Sequence, residues 1–271
     1  MFTFAKICNF AILVIMLGLL SDQSLAEIQG LKETKILAGW QNNNGSHTSA
    51  VEIRMETGWK TYWHAPGSSG IPPRFSFEGS ENLRNFEFKW PSPVLFGDDK
   101  LWSVGYKNKL VLPMIIIPKD KNKPIKLNLH VEIGICDIVC VPAEFSMHAT
   151  LHPKRTKPNA KIVAALASRP KSKTAVDAKE LVCAFSMSDQ GMLVTVDLYV
   201  PKLGAREVIM LNYADSDFWI QNKMAKRLGN MLSGSGIIRH SSGTLTAIEK
   251  SKVAVNVISE KTAADLGTCA Q

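Results

Sequence analysis

What this 271-residue sequence lacks narrows it first. No apolar run reaches the 18 or so residues of a spanning helix; the longest, Ile7 to Leu20, is interrupted by Cys8, Asn9 and Gly18. No Gly-x-Ser-x-Gly elbow with identifiable Asp and His partners is present, which leaves nucleophilic hydrolysis without support. The serine-rich Gly67-Ser68-Ser69-Gly70 sits in a proline loop and suits a turn. Leu232-Ser233-Gly234-Ser235-Gly236 reads as a flexible turn without the spacing or context of a phosphate loop. There is no periodic internal repeat. Acidic residues are the minority, 24 against 32 basic, for a formal charge of +8. That balance permits contact with anionic membrane surfaces or acidic partners. The basic residues are scattered, except for Lys119 to Lys123 and Lys154 to Lys157, whose composition is that of solvated loops, so no nucleic-acid surface is expected.

Cysteine is scarce, and that makes it informative. Lys6, the apolar run and Ser24-Leu25-Ala26 have the order of a signal peptide, with cleavage expected after Ala26. No cysteine follows the small residues, so a lipid anchor is not expected, and the product should be an exported, soluble protein. Removing residues 1–26 takes away Lys6 and Asp22 and leaves the charge at +8. Four cysteines remain: Cys136, Cys140, Cys183 and Cys269. An even number in an exported chain suggests two disulfides, with three possible connectivities. Spacing favours Cys136–Cys140 and Cys183–Cys269. Closing a loop of about five residues stabilises by only about 2 kcal/mol, whereas a loop of nearly ninety is worth about 4–5 kcal/mol. The second bond has the profile of a structural staple, and the first that of a bond to be exchanged.

The chain is organised around Gly134 to Glu144. Lys126 to Ile133 alternates like a strand, Phe145 to Ala149 resumes one, and the three residues between Cys136 and Cys140 form the loop of a hairpin. Opposed residues in such a ladder lie within disulfide reach. Exposure at a tip would leave the sulfurs open to a partner thiolate. Two other readings compete: a structural hairpin clip, and a tetrahedral metal site using Cys136, Cys140, His148 and His152. The central spacing of that pattern is short for a zinc finger, and Pro153 with the strand-like context opposes a helical histidine pair. His47, His64, His130 and His240 lie in unrelated segments. Asp137 would raise the Cys136 thiol's pKa by like-charge repulsion, and Glu144 is a candidate proton relay. Both also fit ordinary hairpin surface carboxylates.

Taken in order, Lys32 to Trp40 and Thr48 to Glu56 flank an Asn-Gly turn at Asn44-Gly45 and read as a hairpin. Gly58 to Pro73 packs Trp59, Tyr62 and Trp63 against a Pro/Gly-rich loop, either as a core corner or as a cap over the cysteines, and a strand follows at Arg74 to Phe77. Trp90 to Pro93 is an edge or loop, and Leu110 to Pro118 a buried strand. His152 to Lys179 is linker-like, with a short helix from about Ala160 to Ser168, N-capped by Asn159 and stopped before Pro170. Strands then resume at Lys179 to Met187, Met192 to Tyr199, Glu207 to Leu211, Thr244 to Ile248 and Lys252 to Ser259. The expectation is an all-β protein of two sandwich-like domains, 27–151 and 180–271, joined through 152–179.

Gly58-Trp59-Lys60-Thr61-Tyr62-Trp63, Pro66-Gly67, Gly70-Ile71-Pro72, Trp90-Pro91-Ser92-Pro93, Gly105-Tyr106, Leu112-Pro113 and Cys136-Asp137-Ile138-Val139-Cys140-Val141-Pro142-Ala143-Glu144 occur in an order that resembles the periplasmic N-terminal domain of DsbD-type thiol:disulfide interchange proteins, in particular the ScsB-like branch. The resemblance runs from about Leu37 to Leu151 and is weaker beyond. It implies immunoglobulin-like β-sandwiches and a periplasmic location. It implies a redox-active pair, Cys136 and Cys140, that relays reducing equivalents from a membrane-embedded thiol carrier (DsbD- or CcdA-like) to thioredoxin-like proteins. Such a chain is a protein-disulfide reductase component with no organic cofactor and no small-molecule substrate. By the same analogy Cys140 is the sulfur a partner attacks, and Tyr62, Trp63 and His64 form the cap or partner loop. Where the branch commonly has an arginine and an acidic residue, this chain has His64 and Ser68, so the ion pair that would shape the loop is lost. The sequence ends without the membrane and thioredoxin-like domains of full-length DsbD, which points to a stand-alone module serving a separate membrane protein. The competing function is an exported β-sandwich interaction or assembly module in which both disulfides are structural.

Overall fold

The computed structural model describes residues 28–215, 217–243 and 247–269. The expected leader and its cleavage point lie outside the described residues, as does most of the strand expected at Thr244 to Ile248. The last two residues of that stretch, Ala247 and Ile248, are irregular.

Ten strands build the first half: β1 (Leu31–Gln41), β2 (His47–Met55), β3 (Lys60–Gly67), β4 (Arg74–Ser76), β5 (Leu83–Phe88), β6 (Val94–Gly97), β7 (Trp102–Lys107), β8 (Lys109–Pro118), β9 (Ile125–Cys136) and β10 (Cys140–Leu151). They form two antiparallel sheets in the orders β1-β2-β8-β5 and β10-β9-β3-β7-β6, with β4 paired to β9. β9 shows why they stack. Its odd positions, Ile125, Leu127, Leu129, Val131, Ile133 and Ile135, are all buried, as the period of two along a strand requires. They meet Val51, Ile53, Leu112, Met114 and Ile116 from the facing sheet. Each such side chain is worth about 1.5–3 kcal/mol when fully buried. Even positions of β9 face outward, and that side carries Cys136.

An α-helix, α1 (Ala160–Ala167), follows. Asn159 caps it, its side-chain oxygen accepting the amides of Lys161 at 3.0 Å and Ile162 at 3.4 Å. Ile162 and Ala165 pack on Ala50 and Val111. The Lys161 ammonium donates to both oxygens of buried Glu52 at 2.9 Å. Linker composition therefore hides a docked element: the helix lies on the first sandwich rather than floating between two. Replacing Asn159 with alanine should destabilise this docking by about 1 kcal/mol, read from amide exchange across 160–167.

The second half comprises β11 (Lys171–Ser172), β12 (Lys179–Ser188), β13 (Gly191–Tyr199), β14 (Glu207–Tyr213), β15 (Phe218–Asn222), β16 (Lys226–Leu228), β17 (Met231–His240), β18 (Val253–Ser259) and β19 (Ala263–Thr268). Its sheets run β11-β19-β18-β14 and β12-β13-β17-β15, with β16 on β17. Among the described residues the fold is thus all-β with one α-helix, in two sandwiches. Leu232 to Gly236, expected as a flexible turn, lies inside β17, paired to β13. Glycine is there for closeness: a Cβ on Gly234 would lie 2.9 Å from the Ile209 side chain, and one on Gly236 2.8 Å from that of Ile220. β11, β15, β16 and β19 had no counterpart in the sequence reading.

The halves are packed together. Val208, Met210, Ile258 and Ala263 join the core of the first sandwich, and the Ala263 amide donates to Ser92 Oγ at 2.9 Å. Beside this contact lies a cleft of about 1020 Å³ whose walls include Trp63, His64, Trp90, Tyr213 and Trp219. No helix among the described residues is long and apolar enough to cross a membrane.

Candidate functional site: a covered disulfide

β9 and β10 pair in unbroken register from Leu151↔Ile125 to Cys140↔Cys136, so the two cysteines close the ladder as its last opposed pair. They are bonded, with Cα atoms 4.1 Å apart, and Cys183 is bonded to Cys269. The metal reading needs His148 beside this pair. His148 is eight residues farther along β10, opposite Asn128, some 27 Å of strand away.

The two sulfurs differ in access. Cys136 is 1 % exposed, whereas Cys140 is exposed at the tip. The difference comes from Tyr62. Lys60 and Thr61 of β3 pair with Cys136 and Ile135. Tyr62 therefore projects from the same outer face as Cys136, and its hydroxyl reaches Cys136 Sγ at 2.9 Å and Cys140 Sγ at 3.1 Å. The ring needs room, and glycine supplies it: Gly105 is the ladder partner of Tyr62 on β7, and a Cβ on Gly134 would lie 3.1 Å from the ring. Burial pushes the Tyr62 phenol above its ordinary pKa, so it stays a donor at neutral pH.

Of the three residues expected as a cap, only Tyr62 lies on the sulfurs. Trp63 follows it in the strand and so turns the opposite way, into the core, where it is 3 % exposed. His64 packs tilted against Trp63 with centroids 3.9 Å apart, lies 5.4 Å from the Trp90 ring, and lines the interdomain cleft with it. Ile71, which sequence reasoning missed, packs over the same face two residues before Cys136: a Cβ on Gly134 would sit 2.9 Å from Ile71 Cβ. Gly70-Ile71-Pro72-Pro73 was the available signal, a stiff apolar turn between β3 and β4, both of which pair with β9. Ser68, standing where the branch has an acid, holds this loop by other means. Its hydroxyl donates to the Trp102 carbonyl at 2.9 Å and accepts the Trp102 amide at 3.2 Å. Glu144 is not beside the sulfurs. It sits opposite Glu132, four positions and roughly 13 Å along β10 from Cys140, and its carboxylate lies 3.3 Å from His130 Nε2.

His64 carries a pH signature. The side chain is exposed to the cleft, yet desolvation by the atoms packed around it lowers its pKa from 6.5 to about 4. A histidine lowered on folding leaves the unfolded chain binding more protons between those values, so its contribution is complete above about 6.5 and lost as pH falls towards 4. Water in the cleft reaches the ring and keeps the loss below that of a dry site. Burial lowers buried His47 in the same direction. Stability should fall between pH 6.5 and 4 and fall less in a His64→Gln variant, as urea unfolding at each pH would show.

A β-sandwich presenting one disulfide at a hairpin tip, with one sulfur open and a phenol over both, has the build of a thiol–disulfide interchange domain. Residues 32–151 match the family model described as thiol:disulfide interchange protein DsbD, N-terminal. Among solved structures, the N-terminal periplasmic domain of ScsB from Proteus mirabilis is similar at a TM-score of 0.59 and 18 % identity, over 85 % of this chain and 91 % of that one. At that identity the likeness speaks for the fold, and its coverage takes in the second sandwich. No curated protein matches the sequence.

Proposed function

We propose that the chain is a periplasmic relay, taking reducing equivalents from a membrane thiol carrier and passing them through Cys136 and Cys140 to thioredoxin-like proteins. The observation that carries this reading is the asymmetric disulfide: one sulfur open, the other buried under a hydrogen-bond donor. A carrier thiolate attacks Cys140 Sγ, the intramolecular S–S bond breaks, and Cys136 Sγ departs as a thiolate with the Tyr62 O–H to receive it. The carrier's second thiolate then attacks the mixed disulfide and releases Cys140. Two electrons have moved, the carrier is a disulfide, and the pair is a dithiol after taking up two protons. In the onward direction the Cys140 thiolate attacks a partner disulfide, and Cys136 resolves the mixed species. Periplasmic placement rests on the family of the domain and on the expected leader.

The decisive test is the reduction potential of each bond, by glutathione titration with thiol labelling and mass mapping. Cys136–Cys140 should reduce at roughly −180 to −270 mV while Cys183–Cys269 resists. Equal resistance of both bonds until unfolding would sink the relay and leave a disulfide-stapled binding module. Tyr62→Phe bears on the mechanism. A hydrogen bond to a charged group is worth about 1.5–3 kcal/mol, so its loss should slow reduction by dithiothreitol roughly tenfold or more.

A further inference from the structure

Register places more than Tyr62 beside the disulfide. Cys140 pairs with Cys136, Cys136 with Lys60, and Lys60 with Lys107, one row across β10, β9, β3 and β7. Opposed residues share a face, so both lysines project from the face that carries Cys136. Like charges set directly opposite each other destabilise a ladder. Among the described residues neither ammonium has a carboxylate within 4 Å. Each instead lies over the Phe96 ring, at 5.8 Å for Lys60 and 5.5 Å for Lys107. The three side chains form one wall of a groove of about 460 Å³.

The other wall brings in the hairpin loop and the second sandwich: Asp137, Arg206 and Glu260. Their charges are unequally free. Glu260 accepts the amides of Ala205 at 2.6 Å and Arg206 at 3.2 Å, which hold its carboxyl below its ordinary pKa. Arg206 donates to the Gly97 carbonyl and has Asp99 at 3.9 Å. That leaves Asp137 as the acid facing two lysines, so the groove keeps an uncompensated positive charge. At its lip the loop offers Ile138 and Val139, 95 % and 70 % exposed. Along the row Lys60 lies two strands, about 10 Å, from Cys140, so the exposed loop and the cationic groove both come within one side chain's reach of the open sulfur.

Resting on the relay reading, we infer that this groove recognises a carboxylate on the thiol partner: a polypeptide with an acidic side chain close to its reactive cysteine. The carboxylate enters between Lys60 and Lys107 while the neighbouring thiolate attacks Cys140 Sγ and expels Cys136, with the same electron and proton balance as above. The site then selects partners by charge as well as by redox potential.

The test uses the full oxidised chain and three synthetic Cys-x-x-Cys dithiol peptides that differ only in acidic, neutral or basic flanks, with dithiothreitol as reference. Second-order rates of Cys136–Cys140 reduction should favour the acidic over the basic peptide by about tenfold or more at low ionic strength. The ratio should shrink towards unity near 0.5 M salt. Lys60→Gln with Lys107→Gln should bring the low-salt ratio to within about twofold, each rate being compared with the same variant's dithiothreitol rate. Lys119→Gln with Lys121→Gln removes the same net charge at the opposite end of β9 and should preserve it. A wild-type ratio near one overturns the inference, as does a ratio that survives the Lys60/Lys107 change or falls equally in the control. If dithiothreitol itself cannot reduce the bond in the folded chain, the relay reading fails, and the inference with it.

Discussion

A Cys136→Ser chain should capture its redox partner as a persistent mixed disulfide through Cys140, while turnover falls to background. The expectation follows from the division of access along the ladder. Cys140 is the sulfur solvent reaches, and Cys136, 1 % exposed beneath Tyr62, is the one that must resolve the adduct. Remove the resolving thiol and the attacking one has no intramolecular exit. The converse variant, Cys140→Ser, should be equally inactive but should trap nothing, and its remaining thiol should alkylate slowly until the protein is unfolded. Iodoacetamide labelling followed over time, with non-reducing gels of a periplasmic extract, reads both outcomes. Equal alkylation of the two single-cysteine variants in the folded state would mean that Tyr62 does not shield Cys136, and the assignment of roles would fall.

The same asymmetry shows what a sequence can and cannot yield. The hairpin was legible because β9 alternates strictly, so Cys136 and Cys140 had to meet where the alternation stopped. The helix was legible from Asn159 and Pro170, and the all-β character from hydrophobic patterning. What failed was anything decided across strands. Gly234 and Gly236 have the local chemistry of a turn, and only the nearness of Ile209 and Ile220 reveals that they belong in a strand. Tyr62, Trp63 and His64 are contiguous in sequence, but a strand sends neighbours to opposite faces, so one residue covers the sulfurs, one fills the core and one lines a cleft. The lysine row is invisible in one dimension: Lys60, Lys107 and Cys136 are far apart in sequence and meet only through the pairing of three strands.

The second disulfide should behave in the opposite way, as a stability element without redox consequence. Cys183 lies on edge strand β12 of one sheet, opposite Val196, and Cys269 lies just beyond β19 of the other, its amide donating to the Val253 carbonyl at 3.0 Å. The bond therefore ties the two sheets of the second sandwich together, across 86 residues of sequence separation. Loop entropy assigns it about 4–5 kcal/mol, against about 2 kcal/mol for the short loop at the hairpin. Cys183→Ser with Cys269→Ser should lower the unfolding free energy of that sandwich by roughly the larger figure, and Cys136→Ser with Cys140→Ser by the smaller, in urea titrations followed by the fluorescence of Trp219 and the first-domain tryptophans. Because Val208, Met210, Ile258 and Ala263 also pack into the first core, losing the staple should reach across the interface and lower protection in β6 and β18 together. A double variant at Cys183 and Cys269 that unfolds like the wild type would show that packing, rather than the covalent tie, holds the second sandwich closed. The contrast between a stapling bond and an exchangeable one would then have to rest on the potentials alone.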